Sequence, residues 1–70
     1  MTKSENFPLR FAAALQKRNV SQADICRLTG ISTATLSRYS SGERDPKVPN
    51  LYSIASALDV SARWLYGYDV

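Results

Sequence analysis

Apolar residues along this chain recur at intervals of three and four, the spacing that lines up one face of an α-helix, and no stretch alternates as a half-buried strand would. In "NFPLRFAAALQKR", Phe11, Ala14, Leu15 and Arg18 fall on one stripe. Asn6 is placed to cap this helix, Pro8 is tolerated in a first turn, and the alanine run favours helix before Asn19 breaks the pattern. A second helix is expected over about 21–29. The Ser21 hydroxyl can accept the backbone N–H near Asp24, whose negative charge suits the positive end of the helix dipole. Ile25, Cys26 and Leu28 are expected to face inward, and Gly30 to take the left-handed conformation that ends a helix.

Only Ile31 separates that glycine from Ser32, the next capping residue. A third helix therefore runs over about 32–40, through Leu36 and Tyr39, and Gly42 ends it. "GERDPKVPN", with two prolines in nine residues, reads as a loop. "NLYSIASAL" spaces Leu51, Ile54, Ala55 and Leu58 as a fourth helix, and Ser61 opens a short fifth, "ARWLY", closed by Gly67. The pattern predicts an all-α fold: one domain over residues 1–70, a compact bundle of five short helices with tight connections.

Seventy residues allow one small core. The 44% hydrophobic content is that of a globular chain. No apolar run reaches the roughly 20 residues that span a bilayer. The start, "MTKSENFPLR", lacks a signal-peptide core, which leads us to expect a cytoplasmic, nucleoid-associated protein. Charge is uneven. Residues 1–47 hold eight of the nine Lys/Arg and four of the six acids, a balance of +4, whereas residues 48–70 carry −1. Such a distribution suits one face that meets an anion, or simply a solvated surface.

Catalysis finds little support. There is no histidine to act as a base near neutral pH, and the six carboxylates are scattered without ligand spacing. Cys26 sits on an apolar stripe, where cysteine is usually a small filler, and cannot form an internal disulfide alone. No enzyme activity, metal or cofactor is expected.

The segment from Ser21 to Ser40 is a helix, a tight glycine turn and a second helix. Two short helices so joined cross at a wide angle, and the second can enter a DNA major groove while the first crosses the backbone. A helix 10–12 Å across must fit a groove roughly 12 Å wide, which demands short or flexible side chains on the inserted face. Thr33, Ala34, Ser37 and Arg38 meet that demand; Leu36 and Tyr39 on the other side can anchor the helix.

"SQADICRLTGISTATLSRYSSGERDPKVPNLYSIASALDVSARWLYG" resembles the Cro/C1-type (XRE) helix-turn-helix family of phage repressors and bacterial regulators. The likeness is carried by Gln22, Cys26, Gly30, Leu36-Ser37, Gly42 and the tail "IASALDVSARWLYG", and runs from Phe11 to Asp69. It implies a lambda repressor-like DNA-binding domain with its helix-turn-helix at about 21–40. It further implies Gln22 as a phosphate contact that buttresses the recognition helix. Thr33, Ala34, Ser37 and Arg38 would stand at base-reading positions, and Ser41, Arg44 and Lys47 where phosphates are gripped. Arg38 could pair with guanine, worth about 1–3 kcal/mol of discrimination, and Ala34 or the Thr33 methyl could pack on thymine. Arg44 lies between Glu43 and Asp45, which compete for its charge. Trp64 and Leu65 are expected in the core.

Many family members carry an arginine seven positions before the helix-two glutamine and a glutamate two before the glycine after helix three. Here those positions hold Leu15 and Ser40, so both partners of that ion pair are absent together and no charge is stranded. The implied partner is double-stranded operator DNA, bound by a homodimer at half-sites about 34 Å apart. Family analogy adds an antirepressor protein, without any residue here that points to it. A chain ending at "WLYGYDV" has hardly any room for a separate dimerisation domain, so it is expected to be the N-terminal part of a longer repressor, dimerising weakly as an isolated fragment, the alternative being a complete Cro-like protein. The rival function is a protein-interaction module, such as an antitoxin-like regulatory domain, suggested by Tyr52, Trp64, Tyr66 and Tyr68.

Overall fold

Four of the five helices begin at a residue whose side-chain oxygen accepts a backbone N–H from the first turn, and these caps set the frame of the molecule. The structure, a computed structural model, describes residues 6–68. Its helices are α1 (Phe7–Arg18), α2 (Gln22–Thr29), α3 (Thr33–Ser41), α4 (Val48–Leu58) and α5 (Ala62–Tyr66). Asn6, Ser21, Ser32 and Ser61 are the capping residues. Lys3, Glu5 and Asp69, which enter the charge balance and the family likeness, lie outside the described residues.

The core is assembled from every helix. Phe7, Phe11 and Ala14 come from α1, Ile25 from α2, Leu36 and Tyr39 from α3, Ile54, Ala55 and Leu58 from α4, and Leu65 from α5. Phe7 and Phe11 stack with centroids 5.1 Å apart. Burying each such large side chain contributes about 1.5–3 kcal/mol. Helix α3 packs on α1 and α2, α4 packs on α2 and α5, and α1 reaches α5.

Three expectations need correction. Leu28 is 68% exposed, not inward-facing. At 3.6 residues per turn, the direction shared by Ile25, Cys26 and Thr29 passes well away from Leu28, and Thr29 takes the inner position with its hydroxyl on the Ile25 carbonyl. Helix α4 begins at Val48, so the last residues of the supposed loop are helical. Pro49 falls in the first turn, where its missing N–H has no intrahelical partner to lose. Arg18 does not join the buried stripe. Its Nε donates to the Leu58 carbonyl (3.0 Å) and one terminal nitrogen to the Asp59 carbonyl (3.0 Å), closing the C-terminus of α4. Cys26, Leu15 and Leu51 are half-buried against the core.

Arg10 was not singled out by its pattern, yet it is only 6% exposed. Its Nη1 donates to the Trp64 carbonyl at 2.9 Å, and its guanidinium lies 4.8 Å from the Trp64 ring centroid. The cation thus holds α5 against α1 through a hydrogen bond and a cation–π contact. Leu65 is fully buried and Trp64 half-buried, in line with their expected packing.

Candidate nucleic-acid interface

The turn between α2 and α3 is held locally. Thr29 Oγ1 donates to the Ile25 carbonyl (2.7 Å) and accepts the Ile31 N–H (3.2 Å). Gly30 between them has φ +78°, and its N–H donates to the Cys26 carbonyl at 2.9 Å. A β-carbon there would meet nothing within 4 Å, so glycine is required by the left-handed torsion and not by crowding. Ser32 then caps α3 through the Thr35 N–H (3.1 Å). At the N-terminus of α2, Ser21 and Asp24 form a reciprocal capping box. The Ser21 backbone N–H, chiefly, and the neighbouring Arg27 hold the Asp24 carboxyl below its usual value of 3.8.

Helix α3 is fastened by one side only. Leu36 is fully buried, and the Tyr39 ring meets Phe7 edge-on at 6.2 Å. The phenol oxygen of Tyr39 accepts a 2.7 Å hydrogen bond from the Asn50 side-chain amide. Roughly opposite these anchors, at 100° per residue, stand Thr33, Ala34, Ser37 and Arg38, all exposed. Gln22, in the first turn of α2, Ser41 at the end of α3, and Arg44 and Lys47 beyond it are exposed as well.

These residues are brought together to different degrees. Arg38, Arg44 and Lys47 line one cleft with Thr35, Tyr39 and Asp45. Gln22 stands apart on α2 and does not line it. Ser41 is engaged locally: its hydroxyl donates to the Arg38 carbonyl (3.1 Å) and accepts the Glu43 N–H (3.3 Å). Glu43 pairs with Arg38 across the Gly42 turn, with Oε2 3.7 Å from Nε. Sequence reasoning had set Glu43 against its neighbour Arg44; pairing five residues apart is visible only once the chain has turned back on α3. The family's ion-pair positions are filled neutrally. Leu15 is half-buried against the core, and the Ser40 hydroxyl donates to the Ser37 carbonyl at 3.0 Å.

A second surface begins beside Lys47. Val48, Leu51, Tyr52, Ala62, Tyr66 and Tyr68, with Arg63, line a mainly apolar groove between α4 and α5, and Val48 and Tyr52 are mostly exposed. Tyr66 and Tyr68 stack there with centroids 6.0 Å apart. Among the described residues no helix is long and apolar enough to cross a membrane.

Comparison with known proteins places this geometry. Residues 11–65 match the helix-turn-helix family. Over 61 residues the chain is 38% identical to an uncharacterized HTH-type transcriptional regulator of Haemophilus influenzae. That match covers 87% of this chain and 25% of the relative, so the chain spans a quarter of the relative's length. The crystal structure of the P22 c2 repressor protein in complex with synthetic operator 9T superposes with a TM-score of 0.83 at 26% identity, covering 94% of this chain and 100% of that one. The solution structure of the DNA-binding domain of the P22 c2 repressor gives 0.84 at 26% identity, covering 99% and 90%.

Proposed function

The chain belongs to the helix-turn-helix family, and from that premise we propose that it is a sequence-specific DNA-binding regulator of the Cro/C1 type, a phage or prophage repressor that reads operator half-sites through the major groove. One observation carries this reading. The outward side of α3 holds the short or flexible side chains Thr33, Ala34, Ser37, Arg38 and Ser41, while Leu36 and Tyr39 fix the opposite side in the core. Arg38 supplies the donors for a guanine edge, and Ala34 with the Thr33 methyl offers apolar contact to thymine. Gln22, Arg44 and Lys47 take phosphates on either flank. Ser41 joins them by turning its hydroxyl away from the Arg38 carbonyl. The protein acts where DNA lies, in the cytoplasm of a bacterial cell.

Two copies act together on one duplex. Half-site centres one helical turn apart are about 34 Å from each other. The domain measures 32 × 23 × 19 Å, so neighbours at that spacing meet when their long axes lie along the duplex. The groove between α4 and α5 supplies the apolar surface for that contact. The same groove is what a protein-interaction module would use instead of DNA.

Selection from random-sequence duplexes at moderate salt tests the proposal. A recovered motif with two inverted half-sites is expected. Recovery of no preferred duplex would leave the protein-interaction reading in its place.

A further inference from the structure

We propose that Glu43 is a positioning residue for base recognition: it holds the Arg38 side chain by Nε, so that the end of the guanidinium fork formed by Nη1 and Nη2 is presented to an acceptor pair on a base. The proposal rests on the DNA-reading role of α3 and adds a specificity-determining residue outside that helix.

The turn that follows α3 is built around Arg38. Gly42, at φ +84°, reverses the chain, and its N–H donates to the Tyr39 carbonyl at 3.2 Å. The Arg38 carbonyl accepts twice, from the Ser41 hydroxyl (3.1 Å) and from the Arg44 N–H (3.3 Å). The Glu43 N–H donates to the Ser41 hydroxyl, so the backbone of Glu43 is tied to the last turn of α3 on the side of Arg38. From there Oε2 lies 3.7 Å from Arg38 Nε. The pair is solvent-exposed, with side-chain exposures of 51% for Arg38 and 69% for Glu43.

An exposed pair of this kind contributes little to folding, which leaves its geometric effect as the one that matters. A free arginine side chain samples many rotamers, and ordering it is part of the cost of every contact it makes. A carboxylate whose backbone is tied to the end of α3, and which lies 3.7 Å from Nε as an ion pair, biases that sampling before DNA arrives. It uses one edge of a planar fork whose other end matches guanine O6 and N7. Glu43 also sets a negative charge near the phosphates and so lowers affinity for every sequence alike. The two effects are opposite and separable: one falls on a single base pair, the other on all DNA.

The experiment compares the wild-type chain with Glu43→Gln and with Arg38→Ala on the selected duplex and on every single-base substitution of it. Arg38→Ala identifies the base pair that Arg38 reads. Glu43→Gln is expected to bind all duplexes more tightly, yet to lose about twofold to fivefold of discrimination at that base pair alone. In the Arg38→Ala background Glu43→Gln should leave discrimination unchanged. Uniform tightening with discrimination intact overturns the proposal and leaves the DNA-reading role standing. A wild-type chain with no preference for any duplex overturns both. A DNA-free measurement supplies an independent arm. The 15Nε–Hε order parameter of Arg38 should fall in Glu43→Gln, and an unchanged value overturns the positioning role.

Discussion

The side-chain amide of Asn50 donates a 2.7 Å hydrogen bond to the phenol oxygen of Tyr39, and so ties the first turn of α4 to the buried side of α3. Tyr39 also packs edge-on against Phe7 from α1. The recognition helix is therefore held at one residue by two other helices. Tyr39→Phe keeps the ring and loses the bond, leaving the Asn50 amide without it; it should destabilise by about 1 kcal/mol in urea unfolding. Tyr39→Ala also removes the ring from the core and should cost about 3–5 kcal/mol. Equal losses for the two variants would show that the ring contributes nothing beyond its hydroxyl.

Arg10→Met keeps much of the aliphatic stem but removes the donor to the Trp64 carbonyl and the cation above the indole. A hydrogen bond from a charged donor contributes about 1.5–3 kcal/mol, and a loss in that range is expected in thermal or urea unfolding. Trp64 fluorescence should shift at the same time, because its indole loses the guanidinium beside it. Wild-type stability in Arg10→Met would refute this role.

Asp24 carries an acid-dependent part of the stability. Its carboxyl is held below 3.8 by the Ser21 N–H and by Arg27, so the unfolded chain takes up the proton more readily than the folded one. The contribution is present above the unfolded value and is lost as pH falls through it toward the depressed folded one. Between about pH 6 and about pH 3, Asp24→Asn should therefore lose less Tm than the wild-type chain. Parallel losses would show that the capping box is insensitive to that charge.

Base and phosphate contacts separate in binding data. Arg38→Ala should relax preference at one base pair at a cost of about 1–3 kcal/mol on the preferred duplex. Lys47→Ala should weaken all duplexes similarly and reduce the slope of log K against log salt by about 1. Equal losses for Arg38→Ala on preferred and random DNA would remove it from the base-reading set.

The elements of this fold are legible in the sequence because their signals are local. Asn6, Ser21, Ser32 and Ser61 cap within three residues, and Gly30, Gly42 and Gly67 stop helices where they stand. What escaped reading depends on chain far away. Arg10 looks like any solvated helix arginine until a carbonyl 54 residues on is placed beside it. Leu28 satisfies a helical repeat, but a helix of eight residues buries one narrow face, and which face is decided by α3 and α4. The outward residues of α3 were nameable from spacing; the Glu43–Arg38 pair depends on the direction in which Gly42 sends the chain.

The division of α3 has an evolutionary consequence. Its inward residues hold the helix to the body, while Thr33, Ala34, Ser37 and Arg38 lie outside the packed interior. If α3 reads bases as proposed, helix-compatible exchanges at these four positions would alter what is recognised and leave folding almost untouched. On that reading a lineage built on this scaffold could drift from one operator to another by point changes, each intermediate remaining a stable protein. A library randomised at those positions is accordingly a source of new binding preferences on one unchanged frame.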